Sequence, residues 1–120
     1  MTAREIYNKA MTMLGYFGSE GISGDTEFSR KGITAINLVI ADLWPKVSTD
    51  ECQQIKALSE EIKLPEKILA DVMPYGVAMF LAQSEGDGDS QQMYAVLYNR
   101  KRIGVNSIGT VILSGPYVDC

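Results

Sequence analysis

The chain reads as an all-α protein: a compact bundle of about four helices followed by an extended, strand-like C-terminal arm. Three observations predict it. Apolar residues recur at helical spacing in four separate stretches. Each stretch carries a start or stop signal, from the Thr2–Glu5 pair at one end to Gly104 at the other. Past Gly104 the texture changes to β-branched residues and glycines, with a late proline.

The first helix is expected from Thr2 to Leu14. Thr2 caps it and Glu5 stands three residues on, the capping-box spacing. Ala3, Ile6, Tyr7, Ala10, Met13, Leu14 and Phe17 share one face, and Gly15 should end the helix. The loop Gly15–Asp25 is rich in glycine, but no Gly-Lys-Ser/Thr follows and no strand precedes it, so it is a connection rather than a phosphate cradle. The second helix should start at Asp25 or Thr26 and bury Ile33, Ile36, Val39, Ile40, Leu43 and Trp44. Pro45, which cannot donate a backbone hydrogen bond, is expected to end it at Leu43–Trp44.

Residues 46–64 predict a connector with a weak helical turn or two, from the spacing of Ile55, Leu58 and Ile62. The third helix opens at Pro65 and Glu66 and is apolar over much of its circumference, which marks it as central. Pro74 removes the N–H that would bond to the Ala70 carbonyl, and Gly76 leaves a notch on a buried face; the pair is a structural hinge. The last helix begins at Asp87 or Asp89 and runs to about Ile103. Both aspartates are candidate caps, and Asp89 with Gln92 again fits a capping box. Met93, Val96, Leu97 and Ile103, flanked by Tyr94 and Tyr98, form its expected apolar side. Arg100, Lys101 and Arg102 crowd its final turn, where positive charge suits the helix dipole.

The chemistry open to the chain is narrow. It has 120 residues, suited to one domain, a net charge of −4 and no histidine. Histidine-based nucleophile pairs and imidazole ligands are therefore excluded, and broad charge-driven nucleic-acid binding is disfavoured. Cys52 and Cys120 form no CxxC pattern, so a reducing compartment and no disulfide are expected. The start has no signal-peptide character, and the apolar runs 33–44 and 72–82 are too short to span a membrane. Glu85, Asp87 and Asp89 alternate as calcium ligands could. Counted from Asp87, however, the EF-hand glycine position holds Gln92 and the closing glutamate position holds Tyr98. A solvated turn that caps the next helix accounts for these acids. Glu60 and Glu61 are adjacent, and adjacent helical residues do not face each other. Neither a catalytic group, a cofactor nor a metal site is expected.

The stretch "LPEKILADVMPYGVAMFLAQSEGDGDSQQMYAVLYNRKR", Leu64 to Arg102, resembles the small head–tail connector (adaptor, or head-completion) proteins of tailed bacteriophages and prophages. In that family a Leu-Pro start precedes an apolar helix with Tyr-Gly-Ala-like small residues, then an acidic loop, then a helix with a tyrosine and a basic end. Tyr75-Gly76-Val77-Ala78 and Tyr98-Asn99-Arg100-Lys101-Arg102 carry the match. The resemblance implies a non-enzymatic virion part, made in the host cytoplasm. It would form a homo-oligomeric ring, dodecameric in the family, beneath the portal protein. It would extend the DNA channel and dock tail or stopper proteins. Such parts can stay monomeric until they meet their partner, and DNA passes without specific binding. The expected division is a helical connector domain at 1–104 and an arm at 105–120. Subunit contacts are expected at Arg100, Lys101, Arg102, Val111, Ile112, Leu113 and Tyr117, because Thr110–Leu113 is a strand-like run with no sheet of its own. The alternative is a small helical interaction or regulatory module that contacts DNA through Arg100–Arg102.

Overall fold

The computed structural model describes residues 1–16 and 26–105; the expected loop from Phe17 to Asp25 and the arm from Asn106 onward lie outside the described residues. Helix α1 spans Ala3–Leu14 behind the expected capping box. The Thr2 hydroxyl accepts from the Glu5 N–H at 3.3 Å, and the Glu5 carboxylate accepts from the Thr2 N–H at 2.8 Å. Gly15 ends the helix at φ 77°, in the left-handed region that favours glycine.

Helix α2 spans Thr26–Val47 and overruns its expected end. Pro45 lies in the last turn, where it forfeits only the bond to the Ala41 carbonyl, and its fixed φ suits a helix. The turn is held from outside. The Ser48 N–H bonds to the Trp44 carbonyl at 3.0 Å, and the buried Trp44 indole N–H donates to the Asp50 carbonyl at 3.0 Å. A one-residue propensity is weaker than those anchors.

The segment 48–65 is the expected connector: it contains no helix and a single turn closed by the Glu60 N–H on the Ala57 carbonyl at 3.2 Å. Ile55, Leu58, Ile62 and Leu64 are buried, so their spacing reports core contact rather than helicity. Side chains hold the irregular backbone. The Asn37 amide accepts from the Ile55 N–H at 2.8 Å and donates to the Ile55 carbonyl at 3.0 Å. The Gln53 amide does the same between Lys63 N–H and Glu61 carbonyl, both at 2.8 Å. The Glu60 carboxylate receives the N–H groups of Lys56 and Ala57. This segment also completes α1. The first N–H groups of a helix lack partners inside it, and here Ala3 and Arg4 donate to the carbonyls of Glu60 and Leu58, both at 2.8 Å. Thr2 and Glu61 form an antiparallel bridge beside them.

The expected third helix is two. Helix α3 spans Glu66–Asp71 and α4 spans Met73–Ser84, with Pro65 as the cap before α3 rather than its first residue. Val72, at φ −117° and ψ −50°, separates them. Pro74 therefore falls in the first turn of α4, where its missing N–H breaks nothing. The Ala70 carbonyl that it leaves open accepts from the Lys9 ammonium at 3.1 Å, across from α1. Helix α4 is the central element, and α1, α2 and α5 (Gly88–Ile103) pack around it. At Gly76 an added Cβ would lie 2.7 Å from the Tyr98 ring and 2.9 Å from a Val39 methyl, which makes the expected notch real.

Helix α5 differs in rotation from its expected setting. Tyr94 and Tyr98 are its buried residues, while Met93 and Val96 are exposed. Asp87 is its cap, accepting from the Ser90 N–H at 3.2 Å. Asp89 lies inside the first turn and does not cap, although its charge suits that end of the dipole. Val105, expected to begin the arm, is 4 % exposed and belongs to the core. The elements of the described fold are all helices, and the Thr2–Glu61 bridge is an extended pairing outside them.

Candidate interaction surface

The basic end of α5 is fixed by an acid on α2. Asp42 is the single charged residue in the apolar run Ile33–Trp44. Its carboxylate receives the Tyr98 hydroxyl at 2.6 Å, and the Arg102 guanidinium through Nε at 2.7 Å and Nη2 at 2.9 Å. The two Arg102 bonds form the bidentate fork that guanidinium offers a carboxylate. Partial burial would raise the Asp42 pKa, but the bonds from Arg102 and Tyr98 outweigh it and hold the carboxyl below its ordinary value. The Tyr98 hydroxyl is pushed well above the usual tyrosine range by burial, and further by its bond to Asp42.

Next to this lock, the Lys101 ammonium sits 4.7 Å from the centre of the Tyr75 ring, a cation–π arrangement. Tyr75 leans on Tyr94 with ring centroids 6.3 Å apart, and the Tyr94 hydroxyl donates to the Met13 carbonyl at 2.8 Å. Of the three basic residues expected to meet a neighbour, Arg102 binds inside its own chain, Lys101 is half-buried over Tyr75, and Arg100 is exposed. Val111, Ile112, Leu113 and Tyr117 lie outside the described residues.

The acidic turn is dispersed. Glu85 pairs with Lys31 of α2 at 2.7 Å, Asp87 caps α5, and Asp89 faces solvent. Glu60 closes a turn, and Glu61 lies 3.5 Å from the Met1 amino group. Among the described residues, no three acids or cysteines converge as a metal site would require. No described helix is long and apolar enough to cross a membrane.

The described surface exposes large apolar side chains at Leu38, Met93 and Val96. Between α2 and α4 lies an open groove of about 620 Å³, lined by Arg30, Thr34, Ala35, Leu38, Phe80 and Gln83 among others. Leu38 is 47 % exposed there. On the outer side of α5, Met93 is 51 % and Val96 53 % exposed. Sequence reasoning placed Met93 and Val96 in the core and passed over Asp42. The available signal was Tyr98 and Arg102, one helical turn apart, facing the only charge in an apolar helix stretch.

Compared with known proteins, the chain matches no family model, no curated protein and no solved structure.

Proposed function

We propose that the chain is a structural head–tail connector of a tailed bacteriophage or prophage, a non-catalytic subunit that assembles as a ring beneath the portal, continues the DNA channel and docks the tail. The hairpin 64–102 carries this reading. The stretch that resembles the connector family is also the centre of the fold, a proline-broken helix followed by α5, whose basic end is set against α2 by Asp42. A body fixed in this way supplies a rigid point from which residues 106–120 can reach a neighbour.

The charge balance supports the same reading. Each phosphate neutralised by a protein cation adds affinity through counterion release. A channel lining through which DNA slides must avoid that gain, and a chain of net charge −4 does. The DNA-binding alternative relies on Arg100–Arg102. It loses support from the Asp42–Arg102 pair, which neutralises one of the three charges, and from Lys101 lying over Tyr75.

Electron microscopy of the protein mixed with portal rings of the phage that encodes it tests the proposal. Full-length protein should add a ring of density beneath the portal. A chain cut after Val105, which keeps that buried residue, should retain its helical circular dichroism and lose the ring. Absence of the ring with full-length protein, or an intact ring with the truncated chain, would overturn the proposal. Tight, salt-sensitive binding to duplex DNA would favour the regulatory alternative.

A further inference from the structure

The large apolar side chains left exposed on the described surface sort into two patches of opposite shape. Leu38 belongs to the groove between α2 and α4, with Ala35 and Phe80 beside it. Met93 and Val96 stand one turn apart on the outer face of α5 and form a ridge. One patch is concave and the other convex, and they lie on different helices.

We infer that the two patches meet between copies of this chain: the α5 ridge of one subunit seats in the α2–α4 groove of the next, in a head-to-tail contact. This rests on the reading of the chain as a self-assembling ring part and names a contact between subunit bodies that would act beside the one made by residues 106–120, both being needed for a closed ring.

Charge and register both fit a second copy as the occupant. Arg30 is exposed at one end of the groove, on α2. Asp89 is exposed at the matching end of the ridge, on α5. Arg30 and Leu38 are separated by about 12 Å along α2, and Asp89 and Val96 by about 10.5 Å along α5, at the 1.5 Å rise of an α-helix. With the two helices parallel, Asp89 of one copy therefore meets Arg30 of the other while Val96 covers Leu38 and Met93 covers Thr34. An antiparallel pairing of two ridges would instead set Asp89 against Arg100, which is also exposed on that face of α5, and it would leave the groove unused; an effect of Leu38→Glu on association separates the two. Because different patches meet, the contact is heterologous, the kind that generates a ring when the rotation closes.

Complementation between two variants tests it. Leu38→Glu spoils the groove and keeps the ridge; the double change Met93→Glu with Val96→Glu spoils the ridge and keeps the groove. All three positions are exposed, so circular dichroism should stay that of the wild type. In sedimentation velocity at high-micromolar concentration, the wild type should self-associate, and each variant alone should associate more weakly by about tenfold or more. An equimolar mixture of the two should form a one-to-one dimer, since one good groove and one good ridge remain. Arg30→Glu should weaken association, and Asp89→Arg in the same chain should restore it. A monomeric wild type, association unmoved by the variants, or a mixture that stays monomeric would each overturn the inference. If residues 106–120 of the chain itself filled the groove, the ridge variant would associate as the wild type does, which also overturns it. Rings on the portal without complementation would reject this interface and leave the connector proposal standing. Complementation without portal binding would do the reverse.

Discussion

Replacing Gly76 by alanine sets two effects of opposite sign against each other. Within a helix, alanine is favoured over glycine by about 1 kcal/mol. On that ground alone the variant would be more stable. The added Cβ, however, lies 2.7 Å from the Tyr98 ring and 2.9 Å from a Val39 methyl, against an ordinary carbon–carbon contact of about 3.5 to 4.0 Å. The ring cannot swing aside cheaply, because its hydroxyl is held by Asp42 at 2.6 Å and the helix bearing it by Arg102. Val39 sits in α2, fully buried. Overpacking of this kind costs about 1 to 3 kcal/mol. The net expectation is a loss of up to about 2 kcal/mol. With a urea dependence of about 2 kcal/mol per molar, the unfolding midpoint should fall, by up to about 1 M. Trp44 fluorescence and far-ultraviolet circular dichroism should give the same shift. In a Tyr98→Phe background, where the ring is no longer tethered, the alanine should cost less. A midpoint that rises on Gly76→Ala would refute the close approach of three helices at this point.

Two further changes probe the polar anchors. Asp42→Asn should lower stability at neutral pH. It should also flatten the acid limb of the stability curve. A carboxylate whose folded pKa lies below its unfolded value adds stability that is present above the unfolded value, about 3.9, and is lost as pH falls through the folded one. Urea midpoints between about pH 3 and pH 7 check this; an unchanged acid limb would show that Asp42 contributes nothing to it. Asn37→Ala leaves the N–H and carbonyl of Ile55 without their side-chain partner, at a cost of about 2 to 3 kcal/mol. Thermal unfolding within experimental error of the wild type would show that the 48–65 segment is held by its apolar residues alone.

Much of the fold was legible because its signals are local. Thr2 with Glu5 and Gly15 after Leu14 each act within four residues and stand where their spacing predicts, whereas of the two candidate caps of α5 it is Asp87 that caps and not Asp89, which the spacing to Gln92 favoured. Gly76 was legible for a related reason: a missing side chain on an apolar helix face marks a close approach. The misplaced features depend on distant partners. Pro45 fails to end α2 because Trp44 is anchored to Asp50. The expected mid-helix kink at Pro74 became a helix boundary because the chain breaks at Val72, and Lys9 supplies a donor from 61 residues away. Ile55, Leu58 and Ile62 mimic a helix in spacing, yet their backbone is tied by Asn37, Gln53 and the start of α1.

The rotation of α5 shows how the candidate surface was hidden. Methionine and valine rank as more apolar than tyrosine, so a hydrophobic stripe through Met93 and Val96 is the natural expectation. Tyr94 and Tyr98 go inside instead because each hydroxyl finds an acceptor, the Met13 carbonyl and the Asp42 carboxylate. Neither acceptor is visible from the sequence of α5. Once the tyrosines turn inward, Met93 and Val96 must face out. The exposed ridge is thus a geometric result of satisfying two hydroxyl groups.

The Asp42–Arg102 fork also has a mechanical meaning. Arg102 stands in the last turn of α5, so any pull on that end of the helix enters the body there. Tension would load the fork and the Tyr98 hydroxyl together, then pass into α2 near its anchored end at Trp44. The last turn of α5 is pinned sideways to a neighbouring helix and cannot simply unwind from its tip. A subunit pulled at that end of α5 would therefore share strain across two helices before either of them peels away.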